Sequence, residues 1–235
     1  SDVVHIVPNS RNLPAEFSET RYPVLVEKLG LATDSGGVGY RRGGCGYDKR
    51  VRALADSKLL SNADRALLNT YGVNGGGPGD AYGITIRDGG GGEQTVAGMS
   101  DNIAIKAGSV VRIKTTGGGG WGDPLERETD LVCADVRSGL VSEGVALEKY
   151  GVVLKKDGRL LVADSSATAN RRAELRQARG RLAMFDRGAY FEQIKRDAGI
   201  KWPDSWKDPD EGCFASDIDE TNWQNEATAV RLRNA

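Results

Sequence analysis

The sequence predicts an α+β protein: a glycine-rich, β-rich domain of barrel or sandwich type, followed by a helical C-terminal extension. Three observations carry this. Short apolar runs alternating with period two recur up to residue 116. Helical spacing with capping residues takes over after residue 129. Between them stands Thr115 to Arg127, with four consecutive glycines at 117–120. Such a run costs chain entropy, but it lets another backbone come close. Three regions follow: a β-rich, glycine-rich domain over 1–122, helices with one hairpin over 123–200, and an irregular aromatic and acidic tail over 201–235.

Val3, Val4, Ile6 and Val7 form an apolar strand-like run that reads as the middle of a longer unit. Asn9 to Pro14 is turn-rich, and Pro14 opens a short helix carrying Glu16 and Glu19, ended by Tyr22-Pro23. A strand is predicted over Val24 to Thr33, stopped by Asp34-Ser35-Gly36-Gly37. Lys49 to Ala55 alternates as a half-buried strand does. Ser61 to Leu68 suits either a helical turn or a strand edge, and 74–79 is a loop. Further short strands centre on Ile84 and Ile86, on Ile103 and Ile105, and on Ser109 to Thr116.

Beyond the glycines, Thr129 is the expected N-cap of a helix over Asp130 to Ser138, and Ser142 of a second one ending at Gly151. Asp157-Gly158 between two apolar triplets predicts a hairpin. Asp164 or Ser165 caps a helix reaching about Met184, whose Arg171, Arg172, Arg176, Arg179 and Arg181 read as a solvated face. Trp202, Trp206 and Trp223 make the tail a candidate docking arm.

The 32 Lys and Arg against 33 Asp and Glu leave a net charge of -1, which gives no footprint for nucleic acid or a membrane surface. No apolar run approaches the roughly 20 residues of a membrane span, and a signal peptide is not expected from the N-terminal sequence. Cys45, Cys133 and Cys213 are odd in number and widely spaced, so neither a disulfide framework nor a zinc site is predicted; a reducing cytoplasmic setting is.

Chemistry is thinly signalled. His5, the single histidine, reads as structural, and Ser1 as a chain boundary rather than a nucleophile. The glycine run lacks the Lys-Ser/Thr of a phosphate loop, and Asp123-Pro124 would set a carboxylate beside a bound anion; a structural corner or interface loop is the stronger reading. Asp34, Asp64, Asp101 and Asp123 sit in turns, where capping explains each, although all four would meet at the rim of a barrel.

Taken in order, Asp34 to Gly46, Gly75 to Gly79, Gly117 to Arg127 and Tyr150 to Val153, with Asn9 to Glu16 and Arg21 to Pro23 upstream, resemble the C-terminal half of the hydantoinase B/oxoprolinase family over about residues 3–155. The resemblance implies part of a heteromeric ATP-dependent enzyme, paired with a hydantoinase A-like subunit that binds and cleaves the nucleotide. Such enzymes activate a carbonyl or enol oxygen by phosphorylation, then open a cyclic amide (hydantoin, oxoproline, lactam) or carboxylate a ketone of acetone or acetophenone type. The family's His and Asp metal ligands belong to an N-terminal half not represented here. ATP and a divalent metal are therefore expected mainly on other segments or subunits, with none on this chain. The chain is expected to be inactive alone, as a fragment or as a split subunit completed by a companion chain. No catalytic residue carries over; Asp34, Arg42, Gly118, Gly119 and Asp123 are the candidates for contact with substrate or partner. The alternative is a non-catalytic assembly module of such a complex.

Overall fold

Alternating apolar residues build the first layer. The computed structural model describes residues 13–158 and 160–197; the expected strand around His5, Ser1, Cys213 and the tail over 201–235 lie outside them. Helix α1 (Ala15–Arg21) leads into β1 (Val24–Leu31), β2 (Tyr47–Ala53), β3 (Ser57–Asn62), β4 (Gly72–Val73), β5 (Gly83–Arg87), β6 (Glu93–Val96), β7 (Met99–Ile105) and β8 (Val110–Lys114). Five of these strands form an antiparallel sheet in the order β1-β2-β8-β5-β6. Its register puts Ala53, Ile84, Ile86, Val96 and Val111 on one face. There they pack with Ile105 and with Leu59 and Ile103 of the separate β3-β7 pair.

Closure into a barrel would require β1 to meet β6. Both are edges, so among the described residues the sheets are open layers and no barrel forms. The doubtful stretch 61–68 resolves into the end of β3 followed by turns.

After a 3-10 turn (Pro124–Glu126) come α2 (Thr129–Arg137), α3 (Glu143–Glu148), β9 (Leu154–Asp157), β10 (Leu160–Ala163), α4 (Ser165–Ala178), β11 (Phe185–Asp186) and α5 (Ala189–Asp197). A second core joins Val132, Cys133, Val141, Ala146, Tyr150 and Val152, all at most 4% exposed. Helix α2 starts one residue earlier than expected, so its N-cap is Glu128 and Thr129 is already helical. Ser142 caps α3 as predicted, its hydroxyl accepting from the Val145 amide at 3.2 Å. Asp164 caps α4, which stops at Ala178 rather than near 184. Phe185 and Asp186 leave the helix to pair with Val73 and Gly72.

On the opposite face of the sheet from the first core, Asp48 has a side chain only 4% exposed, held by Arg112 at 2.9 Å and Lys28 at 2.8 Å. The Arg112 bond, aided by Lys28, outweighs burial and keeps its carboxyl well below the usual carboxylate range. Its stabilising contribution is thus complete above an unfolded value of about 3.9 and disappears as pH falls through the depressed native value. The stability advantage of the wild type over Asp48→Asn, read from urea midpoints, is expected to hold from pH 7 to 5 and to shrink steadily toward pH 2.

Candidate functional site

Three glycine-bearing segments, 34–46, 70–80 and 117–122, meet through backbone hydrogen bonds. Outside the short β4 they form little regular structure, yet their backbones are wired together. Successive amides of the third segment turn to different neighbours. Those of Gly118 and Trp121 donate to Gly44 and Arg41, and those of Gly117, Gly120 and Gly122 to Asp80, Gly77 and Val73, all at 2.8–3.1 Å. The Gly118 carbonyl accepts from Gly37, and the Gly120 carbonyl from Val73. Such a lattice leaves no room for side chains. A Cβ on Gly117 would run into the Ser35 carbonyl and one on Gly119 into that of Tyr71, both well inside van der Waals contact. The amides named above all point at carbonyl oxygens, so they offer no cradle to a phosphate.

The five candidate residues occupy different parts of this junction. Asp34, at a left-handed φ of 64°, accepts from the Ser142 amide at 2.7 Å, and its own amide donates to Leu140. It therefore ties the first segment to the α2-α3 turn. Gly118 and Gly119 sit side by side but face apart, Gly118 toward Gly44 and Gly119 toward Tyr71. Arg42 lies two residues from the Gly44 carbonyl that Gly118 bonds, and its guanidinium reaches Asp135 of α2 at 3.3 Å. Asp123 stands where the chain leaves the junction. One of its oxygens accepts from the Leu125 amide at 2.8 Å, and both meet Arg179 of the segment just after α4, one at 2.7 Å. Burial pushes the Asp123 carboxyl upward, but Arg179 and the Leu125 amide outweigh it and hold it below its ordinary value.

The basic run is not a simple solvated face. Arg172 donates to the carbonyls of Arg127 (2.7 Å) and Tyr150 (3.1 Å), Arg176 meets Glu126 at 2.6 Å, and Arg179 holds Asp123. Spacings of four and three residues put these guanidiniums along one stripe of α4 and its exit, and that stripe clamps 123–127. Arg171 pairs instead with Glu174.

Three residues that the sequence did not single out for a site complete the arrangement. Asp135 accepts from Arg127 at 2.9 Å and from Arg42 at 3.3 Å, with side chains only 10–11% exposed. Arg127 also donates to the Tyr40 carbonyl at 2.9 Å. Beside them, burial pushes the phenol of the fully buried Tyr150 up to about 12 against the pull of Arg127. The available signal was a carboxylate at 135 among Val132, Cys133 and Val136, an ionised group amid an otherwise apolar stretch.

This arrangement fixes backbones and orients segments. Among the described residues, no group of three His, Cys, Asp or Glu side chains is placed to hold a metal ion, and the junction amides named above are spent on carbonyls.

Residues 1–124 match the family model described as hydantoinase B/oxoprolinase. The chain belongs to the hydantoinase B/oxoprolinase family. Within that family it is 36% identical over 162 residues to the caprolactamase subunit beta of Pseudomonas jessenii, a match covering 67% of this chain and 27% of that subunit. The solved structure of ATP-dependent caprolactamase from the same organism superposes with a TM-score of 0.55 at 30% identity, over 68% of this chain and 28% of that one. Nucleotide-free acetone carboxylase, solved in a study of ATP-dependent acetone carboxylation, shares the fold with a TM-score of 0.62 at 21% identity, over 87% of this chain and 35% of that one. The chain thus spans about a quarter to a third of the length of these relatives. No helix among the described residues is long and apolar enough to cross a membrane.

Proposed function

We propose that this chain is the scaffold portion of a subunit of an ATP-dependent enzyme that opens a cyclic amide. The observation that carries the reading is the 36% identity to a caprolactamase subunit across two thirds of the chain. ATP and its divalent metal are held by other segments or by a hydantoinase A-like partner, where phosphorylation of the amide oxygen makes the carbonyl open to water. This chain's own residues do not enter that chemistry. The lattice of Gly118 and Gly119 fixes three loops at one separation, Asp34 and Asp123 tie the lattice to the helices, and Arg42 anchors it to Asp135. Such positioning has catalytic value because small displacements of reacting groups cost large factors in rate. Cys45 and Cys133, both buried as thiols, suit a reducing cytoplasm. Alone, the chain is inactive.

Ketone carboxylation is the second reading, favoured by the fold shared with acetone carboxylase over 87% of the chain. The test is ADP release by the complex isolated with this chain, challenged with hydantoin, oxoproline and caprolactam, and separately with acetone and acetophenone plus bicarbonate. ADP release that depends on a cyclic amide is expected. Release that depends on ketone and bicarbonate would replace the amidase by the carboxylase, and an assembled complex answering neither would overturn both.

A further inference from the structure

The sheet face turned away from the first core carries a groove of about 380 Å³, floored by β2 and β8 and rimmed by the β5-β6 and β7-β8 turns. Most charges around it are matched. Glu27 takes Arg52, Glu93 takes Arg87, and the Asp88 carboxylate accepts the amides of Gly90 and Gly92 within its own turn. The floor is different. Arg50 and Arg112 occupy directly opposed positions on β2 and β8, and both reach the one carboxylate of Asp48, which Lys28 also uses. Arg112 and Lys28 take it at 2.8–3.1 Å, leaving Arg50 at 3.6 Å, and the Arg50 Nε is buried with no acceptor. Three cations thus converge on Asp48, with Glu93 also acting on Arg112, and the least satisfied is an arginine whose side chain is still 42% exposed.

We infer that this groove binds an oxyanion between Arg50 and Arg112. A guanidinium presents paired N–H donors that match the oxygens of a carboxylate or phosphate, and a second anion would give the exposed end of Arg50 a closer partner than Asp48 at 3.6 Å. The two sources of that chemistry are free phosphate and an acidic side chain of a companion polypeptide. The inference stands apart from the reaction proposed above, since it rests on the sheet face and not on the glycine junction.

The test titrates the full chain, in a phosphate-free buffer at constant ionic strength, with inorganic phosphate and separately with glutarate as the carboxylate probe, following the thermal midpoint. A saturable rise is expected with at least one probe, the tighter one identifying the source. Arg50→Gln is expected to abolish it, and Arg50→Lys, which keeps the charge but not the planar fork, to weaken it about tenfold. Circular dichroism of both variants checks that they are folded. Should neither probe give a saturable rise, or should the folded Arg50→Gln respond as the wild type does, no oxyanion site exists here.

Discussion

Gly117→Ala is expected to remove the cooperative unfolding transition of this protein, or to lower its stability by well over the roughly 1–3 kcal/mol of ordinary overpacking. The added Cβ would meet the Ser35 carbonyl carbon and oxygen and come within 3.0 Å of the Gly36 amide nitrogen. All of these are backbone atoms, which cannot rotate aside as a side chain does. Nor can the Ser35 segment retreat. The Ser35 hydroxyl donates to Ala32 at 2.6 Å and accepts from the Gly46 amide at 2.9 Å, and the Ser35 carbonyl already takes the Asp80 amide. Relief would break bonds in all three segments of the junction at once. Two neighbouring cases set the scale. Gly118→Ala places its Cβ 3.1 Å from the Gly44 nitrogen and is expected to cost an intermediate amount, within about 1–3 kcal/mol. Gly83→Ala meets nothing within 4 Å and is expected to change stability by less than about 1 kcal/mol. Urea denaturation of the three variants checks the order. Equal losses at 117 and 83 would mean that the junction is not close-packed.

That order also shows why part of the molecule was legible in the sequence and part was not. Strands β2, β5 and β8 could be read because alternation reports a face buried against a core, and the β9-β10 hairpin because Asp157-Gly158 announces its turn, with Gly158 at φ 61°. Strand β6 could not be read: Glu93, Gln94 and Thr95 carry no apolar face, and only pairing with β5 makes them a strand. The glycine clusters were visible, but their mutual contact was not. A lattice of backbone bonds among residues without side chains leaves no periodicity to detect, and the three segments are separated by tens of residues. The same holds for charge. Asp123 and Arg179 lie 56 residues apart, and Arg42 and Asp135 lie 93 apart. Sequence placed Asp123 in a turn, with it and Arg42 as candidates for contact with substrate or partner, and read the arginines of α4 as solvated, which is the commonest role of such a run. The helical spacing of 172, 176 and 179 held the information that they share a face, but nothing in it said what that face would meet.

The buried cluster at the edge of the second core gives the other large effect. Asp135→Ala is expected to cost about 3–5 kcal/mol, the range for removing one partner from a buried ion pair. Here a single carboxylate serves two guanidiniums, Arg42 and Arg127, each with a side chain 10% exposed. Deleting it takes from two like charges beside Tyr150 the carboxylate they share, while the Gly43 carbonyl still accepts from Arg42 and the Tyr40 carbonyl from Arg127. Carbonyl dipoles moderate a buried charge without neutralising it, so the desolvation penalty remains largely exposed. Asp135→Asn keeps the shape and one acceptor oxygen and is expected to lose nearly as much, because charge and not volume is what the site lacks. Arg42→Met in the Asp135→Ala background removes one of the two cations that the carboxylate served and is expected to recover part of the loss, giving a coupling of at least about 1 kcal/mol in the double-mutant cycle. Urea unfolding of the four species measures it. Strict additivity would mean that Arg42 and Asp135 do not act as a pair.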